Sequence, residues 1–320
     1  MDHIAFIGVQ GQGYAGKFIL IGIDGGGAGA DQIQIRSSLG EGQLCVGGAQ
    51  QRFCILQGGF SCNNAVHITE ATLVGMTEIP EHYFQGVFTI RSSVLGKAKL
   101  NFPNNLTKIG NYGFTSCSNL LLNELPDSIT EIGQNAFSNC NNLVLTKLPS
   151  SLTSIGPNAF SGCTQWVLAE LPDGITSIGQ SSFGNCQKVT FTDLPSSLTS
   201  VGAYAFQYCY GIPYLNFPTG YTYIYAATFM YCKGLTKVVC NGAMTYISSQ
   251  AFSKCENLVE FIMPNITNVP TLGNTNVFAD TPISQGTGYI YVPDDLVEDF
   301  KVATNWSTHA NQIKGVSELV

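Results

Sequence analysis

The sequence predicts an α/β solenoid whose short parallel strands stack turn upon turn, and two repeating features carry this prediction. The first is a column of phenylalanines, which recurs every 23 residues from Phe114 to Phe252 and has an earlier, less regular member at Phe84. The second is a cysteine three residues after each regular phenylalanine, from Cys117 to Cys255. A fixed period of roughly 20 to 29 residues is typical of one supersecondary unit per turn, stacked so that neighbouring turns bury a continuous core.

We expect the chain to divide into three parts. Residues 1–75 contain 16 of the 35 glycines and several short apolar stretches, which predicts a glycine-rich β-strand entry domain or cap. Residues 76–265 hold the repeats and form the solenoid. Residues 266–320 form a C-terminal capping segment, in which Tyr289–Val292 is the last strand and Pro293 opens a helix over the end of the stack. The apolar stripe of that helix comprises Leu296, Val297, Phe300, Ala303 and Trp306.

The entry region also contains a glycine pattern that resembles a catalytic motif. Residues 11–17 match the dinucleotide-binding pattern G-x-G-x-x-G, and they match a phosphate-binding loop as far as Lys17. Such loops need a helix after them, and the phosphate-binding loop also needs a serine or threonine after the lysine. Here Phe18 follows and begins a strand-like run. We therefore interpret the motif as a glycine-rich hairpin turn.

Each regular turn follows one phrase, of which residues 143–163 are an example: L-x-L-x-x-L-P-x-x-L-x-x-I-G-x-x-A-F-x-x-C. The apolar residues before Pro149 predict one short strand, and the segment from Leu152 to Ile155 predicts a second extended piece. The Ala-Phe-x-x-Cys part predicts a helical turn that closes the coil. Gly156 and its equivalents mark a corner where we expect left-handed backbone.

Two departures from the regular phrase are expected to alter the stack. Phe84 and Phe114 lie 30 residues apart, so the first turn carries a seven-residue insertion. From Ile212 onward, the middle apolar residue of the segment before the proline lies three positions ahead of it, where earlier turns have four. Because side chains alternate between the faces of a strand, this shift predicts a bulge or a change of curvature near residues 205–217.

These residues resemble the BspA-like family of leucine-rich repeats, whose repeat has the form L-P-x-x-L-x-x-I-G-x-x-A-F-x-x-C. The resemblance covers about residues 77–264 and implies a leucine-rich repeat right-handed coil with short parallel strands. Members of the family are typically surface-exposed bacterial proteins, with relatives in phage and parasitic protists, that are implicated in adhesion and binding. The resemblance therefore implies a binding scaffold and transfers no catalytic residues.

Composition excludes several classes of partner. The net charge is −7 and lysines and arginines are not clustered, which argues against nucleic acid and against an anionic membrane surface. The longest apolar run near the N-terminus, Phe18 to Ile23, is too short for membrane insertion or for a secretion signal. We expect an extracellular, cell-surface or virion protein with no signal peptide visible in this chain.

We predict no catalytic, cofactor or metal site. The four histidines are scattered, without metal-ligand spacing and without a nucleophile motif nearby. Stacked strands lie about 4.8 Å apart, whereas disulfide-bonded Cβ atoms lie nearer 3.8 Å, so the cysteine column is interpreted as small buried thiols. The protein is therefore predicted not to be an enzyme. The redox state of the cysteines outside the column stays open for Cys45, Cys54, Cys62 and Cys240.

Tyrosines provide the first candidate binding surface, because eight of the fourteen lie between residues 204 and 231. Tyrosines that share a column should stack one turn apart, and exposed tyrosines suit recognition because each offers a large rigid face and a hydroxyl. The alternative is that they fill core positions, which we favour for Tyr214 and Tyr221. The predicted binding residues are Tyr208 with Tyr231 in one column and Tyr223 with Tyr246 in another.

A second candidate surface is the row of residues two positions before each proline, which should point outward from the sheet. It is polar at one end of the stack and apolar at the other, and a solvated sheet face explains it equally well. Its polar members Glu124, Lys147, Glu170 and Asp193 are candidate binding residues, and the whole row also includes Asn101, Asn216, Val239 and Ile262.

These observations predict a non-catalytic, surface-exposed recognition or adhesion protein that binds a protein or a glycan through its repeat surface. The alternative is a structural phage virion component, a tail fibre or receptor-binding tip, with the N-terminal region as attachment or oligomerisation module. Formation of a homo-oligomer stays open. A hydrolase hidden in residues 1–75 has the least support.

Overall fold

The computed structural model describes residues 76–85, 99–118 and 120–319, together with the backbone of five strands nearer the N-terminus. Among those strands, the first pairs antiparallel with the second and the second with the fifth, while the third and fourth pair with each other. The glycine motif at residues 11–17 and the insertion expected after Phe84 lie outside the described residues. The five strands are β1 (Phe18–Ile23), β2 (Asp31–Ser37), β3 (Gln43–Cys45), β4 (Cys54–Leu56) and β5 (Ile68–Val74).

The described residues after position 75 are dominated by short strands, with one α-helix and three 3-10 helices near the C-terminus. The helices are a 3-10 helix at Asp294–Leu296, α1 (Val297–Val302), and 3-10 helices at Trp306–Gln312 and Val316–Glu318. The strands are β6 (Glu78–Ile79), β7 (Lys99–Asn101), β8 (Lys108–Ile109), β9 (Glu131–Ile132), β10 (Ser154–Ile155), β11 (Ser177–Ile178), β12 (Ser200–Val201), β13 (Tyr214–Phe217), β14 (Tyr223–Ile224), β15 (Lys237–Cys240), β16 (Tyr246–Ile247), β17 (Glu260–Ile262), β18 (Thr271–Leu272), β19 (Tyr289–Val292) and β20 (Ile313–Gly315).

These strands form a parallel solenoid of about nine turns, as the repeat predicts. One side of the coil carries the sheet β6-β8-β9-β10-β11-β12 and, separately, the sheet β14-β16-β18. The other side carries the sheet β13-β15-β17-β19-β20. Equivalent repeat positions are register partners, so that Ser154 pairs with Ser177 and Ile155 with Ile178. The second extended piece of the repeat is therefore confirmed as a strand.

The segment before the proline forms a strand in an early turn, as β7 before Pro103, and again in the later turns, but not in the turns between them. In the turn that ends at Leu148, burial follows the order buried, exposed, buried, exposed, exposed, buried from Leu143 onward. Two consecutive exposed residues break the two-residue alternation of a strand, and no strand forms there. In β13 the buried residues Leu215 and Phe217 alternate with less buried neighbours, and the ladder to β15 begins. The predicted strand is thus confirmed for β7 and from β13 onward, and wrong for the turns between them.

The phenylalanine column forms the core. Phe114, Phe137 and Phe160 are fully buried, and their rings stack with centroid distances of 5.1 and 5.4 Å. Stacking continues past Phe252 to Phe278, at 5.9 Å, although Phe278 does not follow the 23-residue interval. Neighbouring turns are thus held together by aromatic contacts along the axis of the stack.

The cysteine column is buried and, in the described turns, free of disulfides, and it also has a polar role that the sequence interpretation did not include. The Cys140 thiol donates a hydrogen bond to the carbonyl oxygen of Phe114, 26 residues earlier, at 3.1 Å. The same bond recurs from Cys163 to Phe137 at 3.2 Å and in every later turn through Cys255. The Phe114 carbonyl also accepts the backbone N–H of Cys117, so the thiol adds a second bond, from the next turn. These thiols therefore link turns in addition to filling space.

The turn that carries Ala-Phe-x-x-Cys is not helical, which corrects the expectation of a helical turn. It contains two residues with left-handed backbone, illustrated by Asn135 with φ 53° and Asn139 with φ 59°. The corner glycines are not left-handed, and they are needed for a different reason. A Cβ atom on Gly156 would lie 2.6 Å from the carbonyl carbon of Gly133 in the preceding turn, so close backbone packing excludes larger residues.

The C-terminal segment packs over the end of the stack. The apolar residues of the predicted stripe pack on the core, where Phe300 and Trp306 are buried and the Trp306 indole N–H donates to the Pro270 carbonyl at 2.7 Å. They do not share one helix, which corrects the prediction, because α1 ends at Val302 and Trp306 begins a separate 3-10 helix. Strand β19 is not the last strand, since β20 pairs with it in parallel. The ladder on this side therefore ends at Gly315.

Candidate binding surfaces

Tyr208 and Tyr231 stack as predicted, and the column they start continues with charged residues. Their ring centroids are 4.5 Å apart with an interplanar angle of 22°. The Lys254 ammonium lies 5.3 Å from the Tyr231 ring centroid and 3.4 Å from a carboxylate oxygen of Asp280. We call Tyr208, Tyr231, Lys254 and Asp280 the tyrosine column. Its two charged members were missed by the sequence analysis, although counting two residues beyond each phenylalanine would have placed Lys254 in line.

The two tyrosines of this column have left-handed backbone, with φ of 62° at Tyr208 and 64° at Tyr231. Three earlier turns have Asn139, Gly162 and Asn185 at the equivalent position, which are residue types that accept this conformation easily. A bulky aromatic residue adopts it at a cost of about 1 kcal/mol or more. At these two positions, asparagine or glycine would therefore serve the fold with less backbone strain than tyrosine.

Tyr223 and Tyr246 form the second predicted stack, on the strands β14 and β16. Their centroids are 4.9 Å apart and their planes differ by 6°. Tyr225, which the sequence analysis did not select, packs against Tyr223 at 4.4 Å. Tyr221 is buried as expected, but Tyr214 is 41% exposed, which contradicts its expected burial. The reason is the alternation of β13, in which Leu215 takes the inward position.

A groove of about 490 Å³ runs along the outer face of β9 to β12. Its floor consists of small residues at equivalent positions of successive turns, with Ser154, Ser177 and Ser200 in one column and glycines in the next. At the following turn these two columns hold Tyr223 and Tyr225. The groove therefore ends where the tyrosines begin.

The ladder between turns is interrupted at this same place. Within the described residues, every other pair of neighbouring turns from residue 79 to residue 273 is joined by a backbone hydrogen bond at this corner, such as that from Gly202 N–H to the Ile178 carbonyl at 2.8 Å. No such bond joins Tyr225 to Val201, and β12 and β14 belong to separate sheets. This interruption lies between β12 and β14, outside residues 205–217, and the bulge or change of curvature predicted there stays a prediction.

The polar row on the other face is exposed at Glu124, Lys147, Glu170 and Asp193, as predicted. Its members have separate partners: Lys147 lies 3.7 Å from Asp127, and Asp193 accepts hydrogen bonds from Asn216 and Thr192. Those two bonds, from Asn216 first, lower the pKa of the Asp193 carboxyl. The outward orientation is wrong for Ile262, which is 3% exposed because β19 pairs alongside β17 and places Tyr291 beside it.

Metal-holding groups and membrane-crossing helices are both lacking in the part of the chain that the structure describes. There, no three His, Cys, Asp or Glu side chains lie close enough together to hold a metal ion. No helix within residues 76–85, 99–118 and 120–319 has the length and apolar content needed to cross a bilayer.

Several solved structures of bacterial repeat proteins are similar to the chain, whereas none of the curated proteins matches it. The leucine-rich repeat protein TpLRR of T. pallidum is 20% identical with a TM-score of 0.38, covering 68% of this chain and 87% of that one. The pneumococcal vaccine antigen PcpA is 14% identical with a TM-score of 0.42, covering 82% of this chain and 80% of that one. A leucine-rich cell surface protein from Faecalibacterium prausnitzii A2-165 is 16% identical with a TM-score of 0.32, covering 79% of this chain and 93% of that one.

A family model gives the decisive match. The model of the BspA type leucine rich repeat region matches in six copies over residues 77–186 and 167–283, which is more than half of the chain. The matched residues include the phenylalanine, cysteine and proline columns that build the solenoid. The chain therefore belongs to the BspA-type leucine-rich repeat family.

Proposed function

We propose that this protein is a non-catalytic recognition or adhesion protein, exposed outside the cell or on its surface, that binds a protein or a glycan through its repeat surface. Membership of a leucine-rich repeat family supports a binding role in general, since such repeats generally bind proteins. We place the binding surface at Tyr208 and Tyr231 because of one observation, which is that both tyrosines are partly exposed and have left-handed backbone.

The left-handed backbone of Tyr208 and Tyr231 costs free energy that the fold alone does not require. Asn139 and Asn185 adopt the same backbone conformation as Tyr208 at the equivalent position of other turns. A residue held in a sparsely populated conformation at the surface lowers stability, and such residues cluster at functional sites. The aromatic stack at 4.5 Å offsets part of that cost, by about 0.5–1.5 kcal/mol. A recognition role explains why an aromatic residue is used there at all.

The chemistry of the tyrosine column suits a partner with both apolar and polar groups. The two stacked rings offer aromatic edges and hydroxyls, while Lys254 and Asp280 form an ion pair beside them. A further ion pair, between Lys233 and Glu256 at 2.7 Å, lies in a neighbouring turn.

Two further parts of the proposal rest on the sequence pattern. We keep Glu124, Lys147, Glu170 and Asp193 as a second proposed surface, because all four are exposed on one face of the coil. We also propose the division into residues 1–75, 76–265 and 266–320. No observation on the described residues favours the virion alternative.

The test compares binding by the wild-type chain with binding by Tyr208→Asn and Tyr231→Asn. Asparagine keeps the left-handed backbone, as Asn139 and Asn185 do, so each variant should remain folded while losing the aromatic group. Tyr112→Asn is the matched control, because Tyr112 has φ 57° and stacks on His82 several turns away. Arrays of host glycans and of extracellular matrix proteins should lose signal with the first two variants only. Equal signals from all four proteins would remove the tyrosine column from the proposal.

A further inference from the structure

His309 is a buried histidine in the C-terminal segment that packs over the end of the stack. It lies in the 3-10 helix Trp306–Gln312, and it is only 4% exposed. Its ring meets the ring of Phe278 edge to face, with centroids 5.6 Å apart. Phe278 in turn stacks on Phe252 and extends the phenylalanine column toward the C-terminal end. A titratable group therefore lies directly against the end of the aromatic core.

One ring nitrogen of His309 lacks a hydrogen-bond partner. The Nε2 atom is buried and makes no hydrogen bond within the described residues. A neutral imidazole carries one N–H, whereas the protonated ring carries an N–H on both nitrogens and a positive charge. Protonation in the closed structure would therefore bury an unpaired charge and an unsatisfied donor, which is costly. Burial accordingly lowers the pKa of His309 below its ordinary value of 6.5.

Among the described residues, no charge compensates a protonated His309. Burial is the one cause of its lowered pKa, and no acidic or basic neighbour adds to it. Lys301 forms an ion pair with Glu298 at 2.8 Å, and Asp280 forms one with Lys254 at 3.4 Å. The charged residues on the elements around His309 are Asp294 and Asp295 before α1, Glu298, Asp299 and Lys301 in α1, Asp280 in the turn of Phe278, and Lys314 in β20. A proton on the buried ring therefore has no counter-ion.

The segment that carries His309 is fastened to the neighbouring strand by two side-chain hydrogen bonds. We call residues 297–312 the cap. The amide of Asn305 donates to the carbonyl oxygen of Leu272, and the indole N–H of Trp306 donates to that of Pro270, both at 2.7 Å. Leu272 belongs to β18, which is the edge strand of the sheet β14-β16-β18. Displacement of the cap would therefore uncover a strand edge together with the end of the phenylalanine column.

The other histidine within the described residues differs from His309 in every one of these respects. His82 is exposed, stacks on Tyr112 and lies many turns away from the cap. Histidine is the side chain whose ordinary pKa lies between pH 5 and pH 8. In the part of the chain that the structure describes, His309 is therefore the buried group on which mild acid acts.

We propose that mild acid opens the cap, because protonation of His309 favours the displaced state in which its ring meets water, and that the opening exposes Phe278 and the edge of β18. The displaced state holds the proton more tightly, since His309 has its ordinary pKa of about 6.5 there. The closed cap is therefore fully favoured above pH 6.5 and loses stability as the pH falls below that value. Each pH unit below 6.5 shifts the opening equilibrium by up to about tenfold. This switch is independent of binding at Tyr208 and Tyr231.

Hydrogen exchange of the whole 320-residue chain at pH 7.5 and pH 5.5, corrected for the intrinsic exchange rate at each pH, tests this proposal. The amide of Ser307, bonded to the Ala303 carbonyl at 3.0 Å, reports on the cap. The amide of Phe160, bonded to the Ser182 carbonyl at 2.8 Å, reports on the middle of the coil.

Two variants remove the titrating group in different ways. His309→Gln keeps a polar side chain that is neutral at both pH values, and His309→Phe keeps a ring that packs on Phe278. His82→Gln is the matched control, because it removes a histidine that is exposed and distant from the cap. The comparison of the two pH values in the wild type decides the question even if neither His309 variant folds.

We expect the Ser307 amide to exchange about fivefold to tenfold faster at pH 5.5 than at pH 7.5 in the wild type and in His82→Gln, with Phe160 unchanged. In the two His309 variants, exchange at Ser307 should not depend on pH. Equal protection of the wild-type Ser307 amide at both pH values would overturn the proposal. The same holds if the His309 variants respond to acid as the wild type does, or if Phe160 loses protection together with Ser307, which would indicate unfolding of the whole coil.

Discussion

The thiol of Cys209 donates a hydrogen bond to the carbonyl oxygen of Phe183 at 3.1 Å, and both residues are fully buried. The bond joins one turn of the coil to the preceding one through the core. We expect Cys209→Ala to lower the free energy of unfolding by about 1–2 kcal/mol, because the Phe183 carbonyl keeps only its bond from the Cys186 N–H and the packing of the sulfur is lost. Cys209→Ser keeps a donor and should cost less. Urea denaturation of the three proteins measures the difference, and equal stabilities of the two variants would argue that the thiol only fills space.

The buried thiols also make stability depend on alkaline pH. Burial raises their pKa values above the value of 9.0 that an exposed cysteine has, so above pH 9 the folded chain holds protons that the unfolded chain releases. The stabilisation that the buried thiols provide is complete below pH 9 and is lost as the pH rises above 9. Well above pH 9, each thiol lowers the free energy of unfolding by about 1.4 kcal/mol per pH unit, which amounts to about 8 kcal/mol per pH unit for six thiols. The six are Cys140, Cys163, Cys209, Cys232, Cys240 and Cys255.

Urea titrations at half-unit steps from pH 7.5 to pH 10 test this dependence. Replacing Cys232 and Cys240 with serine should reduce the slope by about one third, because two of the six titrating groups are removed. A free energy of unfolding that stays level up to pH 10 in the unmodified chain would contradict the prediction.

Two buried alanines in neighbouring turns, Ala227 and Ala251, differ in whether their backbone is left-handed. Ala227 has φ 51° and is buried, whereas Ala251, in the next turn, is buried without a left-handed backbone. Ala227→Gly should raise the free energy of unfolding by up to about 1 kcal/mol, because glycine adopts this conformation without strain. Ala251→Gly should lower it by about 1 kcal/mol through chain entropy and lost packing. Thermal denaturation of both variants checks the opposite signs, and a loss of stability in both would refute the strain argument.

The interrupted ladder beside Tyr221 makes a prediction about amide protection. Tyr221→Leu restores the residue found at Leu198 and removes a buried hydroxyl that lies beside the Val201 backbone. We expect β12 and β14 to pair and the Tyr225 amide to exchange more slowly with deuterium. The amide of Ser248, already bonded to the Ile224 carbonyl at 2.8 Å, is the internal reference. Unchanged exchange at Tyr225 would show that another cause keeps the strands apart.

The repeat made the fold predictable because equivalent residues become neighbours once turns stack. The same rule predicted the stacks of Tyr208 with Tyr231 and of Tyr223 with Tyr246, since each pair is 23 residues apart. The cap stripe was predictable because its apolar residues recur at a spacing that puts them on one side of the terminal segment.

Other features depend on packing between turns and were not predictable from one phrase. Gly156 was assigned a left-handed conformation, but its role is to let two backbones approach, and only the neighbouring turn shows this. The left-handed positions fall on residues such as Asn135, where several conformations are open to the isolated chain. The groove lies in the column of Ser177, whose change to tyrosine at Tyr223 is visible in the sequence once each column is read separately.

The missing bonds between Val201 and Tyr225 also have a mechanical consequence. When a chain anchored at one end is pulled along its long axis, the load passes from turn to turn through the backbone bonds and stacked rings that join them. The interface between residues 199–202 and 222–225 has fewer such bonds than its neighbours in the described coil, so it yields first under tension. Under tension the coil therefore lengthens at one defined position, and not evenly along its axis.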